Sequence, residues 1–155
     1  MPTSSSIRID EDGFAVLPAN VNLNAAASGT FVATGLVLAL PSAGTYHLDA
    51  TVRAFLGTMT TGEGAFIVAR LYDVTAGAVV PNSEVLALQI NVAAGTSATL
   101  LSWNATAAIQ ARYTIPAART VRLEAARITQ AGITDSASVV SDTNGRTTLR
   151  YERVA

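Results

Sequence analysis

The sequence has no cysteine, no lysine and a single histidine, His47, in 155 residues. Without cysteine the chain can form no disulfide, no thiolate metal site and no cysteine nucleophile. A Ser-His-Asp arrangement could be built only around His47, which has Asp49 two residues away. Such a pair is common by chance in strands, so we interpret His47 as a solvated or interface side chain. We therefore expect no catalytic residue.

Charged residues are also scarce. They make up 14% of the chain, half of the residues are apolar, and the net charge is −1. An average protein has about 25% charged residues. The scarcity suggests that other subunits cover part of the surface, although a neutral surface of threonine, serine and alanine is the alternative. The sequence has no basic patch for nucleic acid, no secretory signal and no apolar run that could span a bilayer. We expect neither nucleic acid nor a membrane as a partner.

Motifs for metal and phosphate binding are incomplete. Asp10, Glu11 and Asp12 form an acidic cluster before Gly13, but the alternate-position ligands of a calcium loop are missing. We interpret the cluster as an acidic turn between two short strands, with Asp12-Gly13 as the hairpin signal. The segment Gly62-Glu-Gly64 is not followed by the Gly-Lys-Ser/Thr of a phosphate-binding loop. We expect no metal and no cofactor.

What the sequence does contain is a pattern of β-strands. From Tyr46 to Phe55 apolar and polar residues alternate, and Phe55 is the apolar exception on the polar side. This period of two predicts a strand with one buried and one exposed face. Similar segments recur along the chain between turns rich in glycine, proline and asparagine, which is typical of antiparallel sandwiches. The predicted strands are 30–40, 45–56, 65–74, 83–92, 98–106, 120–128 and 147–154. In 83–92 one side holds Leu86, Leu88, Ile90 and Val92, and the nominally exposed side holds Val85, Ala87, Gln89 and Asn91.

Two stretches also fit a helix. Residues 105–112 and 117–131 are rich in alanine, arginine, leucine and glutamine, which favour helices. We still predict a strand at 120–128, because it contains β-branched residues and the context is β throughout.

The length suits one domain. We divide the chain into an N-terminal arm or edge segment, 1–27, and a β-sandwich domain, 28–155. The first segment is too short to build its own core. It therefore either forms an edge element of the domain or reaches a partner.

Three segments resemble a known family. The Pro-x-x-Gly-x-Tyr strand of jelly rolls of the tumour-necrosis-factor and complement C1q type resembles Pro41-Ser-Ala-Gly-Thr-Tyr-His-Leu-Asp-Ala-Thr-Val-Arg-Ala-Phe. The closing strand of that fold is similar to Gly145-Arg-Thr-Thr-Leu-Arg-Tyr-Glu-Arg-Val. Such domains encoded by tailed bacteriophages contain a segment similar to Ala69-Arg-Leu-Tyr-Asp-Val-Thr-Ala-Gly-Ala-Val-Val-Pro-Asn-Ser-Glu. The resemblance covers about 40–155 and implies an all-β, antiparallel jelly-roll sandwich.

The resemblance also implies a homotrimer whose subunits pack around a threefold axis through the outer face of one sheet. Trimer contacts are then expected at Phe55 and Val85, which lie on predicted polar faces, and at Tyr151. In this interpretation the chain is not an enzyme but a phage virion structural protein, and within that class a capsid decoration protein. It would be made in the host cytoplasm and would lie on the exterior of the particle. There it would bind the major capsid protein or another virion protein and stabilise the head shell.

The arm supplies the expected attachment to the capsid. The candidate contacts are the apolar residues Ile7, Ile9, Phe14, Val16 and Leu17. The alternative function is a receptor- or carbohydrate-binding tip of a tail fibre, which would use the loops 58–64 and 129–138. In that case Trp103 could contribute to a sugar-binding platform rather than to the core. A small hydrolase is disfavoured by the lone histidine and the absent cysteine.

Overall fold

The structure is a computed structural model that describes residues 11–59, 61–95 and 99–155. This part of the chain contains no helix, and its regular elements are all strands. They are β1 (Asp12–Val16), β2 (Val21–Asn22), β3 (Val32–Leu40), β4 (Gly44–Thr58), β5 (Gly64–Asp73), β6 (Ala78–Val79), β7 (Val85–Asn91), β8 (Leu101–Ile115), β9 (Arg119–Ala131), β10 (Ser136–Val140) and β11 (Thr148–Arg153).

The strands form two antiparallel sheets that pack face to face. Sheet A contains β1, β11, β4 and β8, and β10 and β2 continue it beside the second half of β4. Sheet B contains β3, β9, β5 and β7, with β6 beside the end of β5. The pairs are nested in sequence, because β5 pairs with β7, β4 with β8, β3 with β9 and β1 with β11. This nesting is that of a long hairpin rolled into two sheets, so the predicted jelly-roll sandwich is confirmed.

Strand β4 is the spine of sheet A. It is 15 residues long and pairs with β8 without a break in register. Its apolar residues, among them Tyr46, Leu48 and Val52, are buried between the sheets. Its polar residues His47 and Thr51 are exposed on the outer side. The alternation that predicted this strand is confirmed.

The acidic turn predicted at Asp12-Gly13 is wrong. Both residues belong to β1, and Gly13 lies opposite Tyr151 of β11. A Cβ atom on Gly13 would lie 2.2 Å from the ring carbon Cε1 of Tyr151. Glycine is therefore required here because an aromatic ring packs against the backbone, and not because the chain turns.

The helical alternative for 105–112 and 117–131 is also wrong, since these residues lie in β8 and β9. Strand pairing on both sides of β9 outweighs the helix preference of its alanine and arginine residues. The sequence reasoning missed β10, which lies partly in the predicted loop 129–138. Its five residues are too few and too small to show a clear alternation.

Two bulges decide which side chains reach the outer side of sheet B. The register of β7 on β5 shifts between Ile67 and Val68, so Leu86 points outward and is 52% exposed. The same shift places Val85 opposite the buried Ala69, on the inner side. The predicted alternation of 83–92 is therefore wrong at Val85 and Leu86.

The second bulge lies in β3, between Ala33 and Val37. There the hydroxyl of Thr34 donates a 2.9 Å hydrogen bond to the carbonyl of Leu123, and Gly35 has a φ of 87°. The side-chain bond replaces a ladder bond that the bulge interrupts. After the bulge, Val37 lies beside Arg122 on the outer side of sheet B.

The core fills the space between the sheets with leucine, isoleucine, valine and alanine side chains. Near one end the rings of Tyr46 and Tyr151 pack edge to face, with centroids 5.5 Å apart. Burial, with a smaller contribution from Tyr46, raises the pKa of Tyr151. Within the described ranges there is no helix that is long and apolar enough to cross a membrane.

Candidate interaction surfaces

The outer side of sheet A, here called face A, is mainly polar, with small side chains such as Thr51 and Thr106 among charged ones such as Asp49 and Arg112. Its side chains alternate along β4 and β8 with those of the core. Face A consists of His47, Asp49, Thr51, Arg53 and Phe55 on β4, Asn104, Thr106, Ala108, Gln110 and Arg112 on β8, Arg150 and Glu152 on β11, and Phe14 and Val16 on β1.

Face A contains two shallow depressions. The first, of about 300 Å³, lies between β4 and β8 around His47, Asp49 and Arg112. The second, of about 620 Å³, lies around Phe55 and Asn104. Depressions in a sheet of small side chains can receive side chains of another protein.

His47 lies where the sequence predicted, on the exposed face of β4. Its cross-strand neighbours are Glu152 on β11 and Arg112 on β8. Asp49 shares face A with it, one row further along. Neither of these neighbours is a serine, threonine or cysteine. Across the described ranges no group of three His, Cys, Asp or Glu side chains could hold a metal ion.

An ion pair borders the second depression. The guanidinium of Arg53 donates to Asp142 at 2.8 Å and to the carbonyl of Gly145 at 2.6 Å. The hydrogen bond from Arg53, together with the one from the backbone N–H of Asn144, lowers the pKa of the Asp142 carboxyl. Asp142 remains exposed to solvent, so the pair fixes the loop after β10 more than it adds to stability.

The β8 side row is a set of inward-facing apolar residues that remain partly exposed. It consists of Leu101, Trp103, Ala105 and Ala107, which face the space between the sheets but are half-exposed. Within the described part of the chain no strand pairs with the outer edge of β8. Strand β8 has no proline, and its first charged residue is Arg112. Such a long and uncharged edge needs a cover, because free edges otherwise pair with other chains.

The outer side of sheet B, here called face B, has a different composition. Aromatic and aliphatic side chains dominate it, and bulges expose two of the aliphatic ones. Face B consists of Phe31 beside β3, Ala33 and Val37 on β3, Arg122, Glu124, Ala126 and Ile128 on β9, Phe66, Val68, Arg70 and Tyr72 on β5, Val79 on β6, and Leu86 on β7.

Glu124 holds the centre of face B together. The residue is 3% exposed although its side chain points away from the core. One oxygen accepts from Arg70, with Nε and NH2 both at 2.9 Å. The other accepts from Nε of Arg122 at 2.9 Å and from its NH2 at 2.6 Å. Both guanidinium groups are thereby fixed, because each is bound by two of its nitrogen atoms.

Aromatic rings cover the same two guanidinium groups. The central carbon of Arg70 lies 3.5 Å from the ring centroid of Phe31, and that of Arg122 lies 5.0 Å from the centroid of Tyr72. Cation–π contacts of this kind attract the cation to the ring face. The sequence alone did not identify this cluster, because Phe31, Arg70 and Arg122 come from three separate segments.

A second buried carboxylate of sheet B is tied to sheet A. Asp73 is fully buried and accepts a 2.6 Å hydrogen bond from the hydroxyl of Tyr113 on β8. Its other oxygen accepts from the backbone N–H of Ala76 at 2.8 Å. Burial, and then the bond to Asp73, raises the pKa of Tyr113 to about 12.

The structure separates the three predicted trimer contacts. Phe55 lies on face A, in the second depression. Val85 lies on the inner side of sheet B, and Tyr151 is 8% exposed in the core. The three residues therefore do not form one surface, and Phe55 is the one that another subunit could contact.

The predicted capsid contacts are also divided. Phe14 and Val16 point outward from β1, at the margin of face A, and are 61% and 41% exposed. Leu17 is buried in the core. Ile7 and Ile9 lie outside the described residues.

The two loops of the carbohydrate-binding alternative do meet. The hydroxyl of Thr58 donates to the carbonyl of Ile133 at 3.2 Å, and the backbone N–H of Met59 donates to Asp135. A Cβ atom on Gly132 would lie 3.0 Å from the Cα of Glu63. The loops thus form one end of the sandwich. Trp103 is on neither loop and lies in the β8 side row.

Comparisons with known proteins give no family. No protein-family model and no curated protein matches the sequence. Among solved structures, the chain is similar to the VP2 subviral particle of infectious bursal disease virus, with 13% identity and a TM-score of 0.44, over 94% of this chain and 33% of that one. It is also similar to the structure of the Gx strain of that virus, with 17% identity and a TM-score of 0.43, over 94% of this chain and 38% of that one. The chain thus spans about a third of the length of these proteins. At these values the similarity has no bearing on function.

Proposed function

We propose that this chain is a structural protein of a virion, and specifically a homotrimeric decoration protein on the head shell of a tailed bacteriophage. The observation that carries the proposal is the β8 side row. Leu101, Trp103, Ala105 and Ala107 face the core yet remain half-exposed along an uncharged edge. A row of this kind is covered in a stable assembly, since an exposed free edge invites uncontrolled association.

The surface that would cover this row is face A of the next copy. Face A offers small side chains and two depressions, one of them around Phe55. An edge of one copy against a face of the next is a head-to-tail contact, and such contacts form a ring when the rotation between copies closes. A ring of three copies would bury the side row of every copy.

Attachment to the shell is proposed at β1. Phe14 and Val16 are large apolar side chains, exposed at the margin of face A, and Ile7 and Ile9 precede them in the sequence. Three such contacts on one rigid trimer would act together, and linked contacts can bind about 10²- to 10⁴-fold more tightly than one. The mechanism would be mechanical, through clamping of neighbouring shell subunits. We propose that the chain is not an enzyme.

Copy number in purified particles tests the location. A decoration protein should be present at an amount comparable to that of the major capsid protein, whereas a tail-fibre tip should be present in a few copies. Quantitative mass spectrometry of gradient-purified phage measures this ratio. Gold-labelled antibodies seen on tails and not on heads would contradict the proposal.

Binding to shells that lack the protein tests the attachment. The double substitution Phe14→Ser and Val16→Ser should weaken co-sedimentation with such shells. Ile133→Ser is the control, because Ile133 is as exposed as Phe14 but lies at the loop end of the sandwich. Unchanged binding of the double variant would rule out β1 as the attachment site.

A tail-fibre tip is the second candidate function. The observation that favours it is the meeting of the loops 58–64 and 129–138, where Met59 and Ile133 are exposed. Binding of the purified protein to glycans on an array, lost on substitution in these loops, would support it.

A further inference from the structure

We propose that face B is a docking surface for a protein partner whose contact region is apolar and carries a carboxylate, and that Arg70 and Arg122 receive this carboxylate. The partner is the head shell, which face B would contact in addition to β1, so that one protein clamps two neighbouring shell subunits; this identity rests on the proposed function. The chemistry of the partner rests on face B itself.

The charges of the central cluster do not balance. Glu124 carries one negative charge and neutralises one of the two guanidinium groups that it binds. Its two oxygens are occupied by the Nε and NH2 atoms of Arg70 and Arg122. Within the described part of the chain no acceptor is found for the NH1 atom of either arginine. The cluster therefore has one net positive charge and two donors for an incoming anion.

The donors are held in place before any partner arrives. Arg70 is fixed by Glu124 on one side and by the ring of Phe31 on the other. Arg122 is fixed by Glu124 and lies near the ring of Tyr72. A side chain that is already ordered loses little entropy on binding, so this arrangement favours affinity.

Apolar side chains surround the cluster. Val37 and Val79 are 44% and 39% exposed, and both lie in the cross-strand row of Arg122 and Tyr72. Leu86 is also exposed on face B, two rows away. Arginine, tyrosine and phenylalanine with aliphatic neighbours make up the centre of protein interfaces, where aspartate, serine and lysine are depleted. The composition therefore favours a protein over a small ion.

A second copy of this chain is a poor partner for face B. Two copies that met through face B would bring their positive clusters together, because face B contains no carboxylate other than Glu124. Like charges that face each other oppose association. The carboxylates of face A, such as Asp49 and Glu152, lie on the side that the proposed trimer uses.

Val37 is the position for the test, because it lies opposite Arg122 in the register. In Val37→Asp a new carboxylate beside Arg122 would occupy the donors and repel the acidic partner. Val37→Arg removes the same valine but keeps the charge positive. Ile133→Asp controls for the loss of an exposed apolar residue outside face B. The probe is the shell of the same phage without the protein, and binding is measured by co-sedimentation at low and high salt.

We expect Val37→Asp to weaken binding about tenfold or more, as for a residue near the centre of an interface. Val37→Arg should weaken it less, Ile133→Asp should leave it unchanged, and added salt should weaken the wild type. Equal losses for the two Val37 variants would exclude a carboxylate, and no loss in either would overturn the docking surface. Light scattering also measures the molar mass of the Val37 variants. If either differs in mass from the wild type, face B is a contact between copies, and the proposal is overturned. If wild-type protein fails to bind shells, the proposed function falls and the shell is excluded as the partner of face B.

Discussion

The carboxylates of the two sheets lie in different surroundings. In sheet B, Glu124 and Asp73 are buried, and each oxygen has a hydrogen-bond donor. On the side of sheet A, the side chains of Glu152 and Asp142 are exposed and pair with Arg150 at 3.6 Å and with Arg53 at 2.8 Å. Sheet B therefore uses its acidic residues to fix structure. On the side of sheet A the acidic residues form ion pairs at the protein surface.

The largest expected difference in the free energy of unfolding is that between variants of Glu124 and Glu152. Glu124→Ala leaves two covered guanidinium groups without their carboxylate and should lower the free energy of unfolding by about 3 kcal/mol. Glu152→Ala is the matched control, since its pair with Arg150 is 3.6 Å long and exposed, and it should cost at most about 0.5 kcal/mol. Urea denaturation of both variants measures the contrast. Equal losses would mean that the cluster on face B does not act as a buried unit.

The bond between Tyr113 and Asp73 should have the next largest effect. Tyr113→Phe removes the donor to a buried oxygen and should cost about 1–2 kcal/mol at neutral pH. Tyr72→Phe is the control, because Tyr72 lies on face B near Arg122 and not against Asp73.

The same bond predicts a dependence on alkaline pH. The pKa of Tyr113 is raised from 10.0 to about 12, so folding favours the neutral phenol. Its contribution is complete below pH 10 and is lost as the pH rises towards about 12. Thermal melts from pH 9 to 12 should show a smaller decline for Tyr113→Phe than for the wild type. Parallel declines would show that another group causes the loss.

The smallest effect is expected at Asp142. Its pKa is lowered by Arg53, so its contribution is present at neutral pH and is lost as the pH falls through the carboxyl range. Asp142→Asn should therefore slightly flatten the decline of stability below pH 4, with little change at pH 7. A large loss at pH 7 would contradict the exposed position of this pair. Melting temperatures at both pH values measure it.

The sequence predicted those strands in which apolar and polar residues alternate with a period of two. The strand from Tyr46 to Phe55 is confirmed, since its inward residues Tyr46, Leu48, Ala50, Val52 and Ala54 are all apolar and buried. The jelly-roll class is confirmed by the nested strand pairs. The period fails where a strand bulges, and this is why Leu86 was predicted inside and Val85 outside. The Asp-Gly turn signal misleads where glycine has a packing role, as at Gly13.

The surfaces were less predictable than the fold. Phe55 stood out because one apolar residue interrupted a polar face. The cluster of Phe31, Arg70, Arg122 and Glu124 gave no such signal, because it forms only when β3, β5 and β9 are side by side. Tyr151 was expected at an interface, but its place in the core depends on a ring contact with Tyr46 and on the glycine across from it.

The molar mass of two matched variants tests most directly whether face A, and not face B, forms the contact between copies. Phe55→Arg places a charge in the depression of face A, and Val37→Arg places the same charge on face B. By light scattering, we expect Val37→Arg and the wild type to have three times the chain mass of 16.0 kDa. We expect Phe55→Arg to have the mass of one chain. A wild type of 16.0 kDa, or a Val37→Arg variant that dissociates while Phe55→Arg remains assembled, would contradict the account.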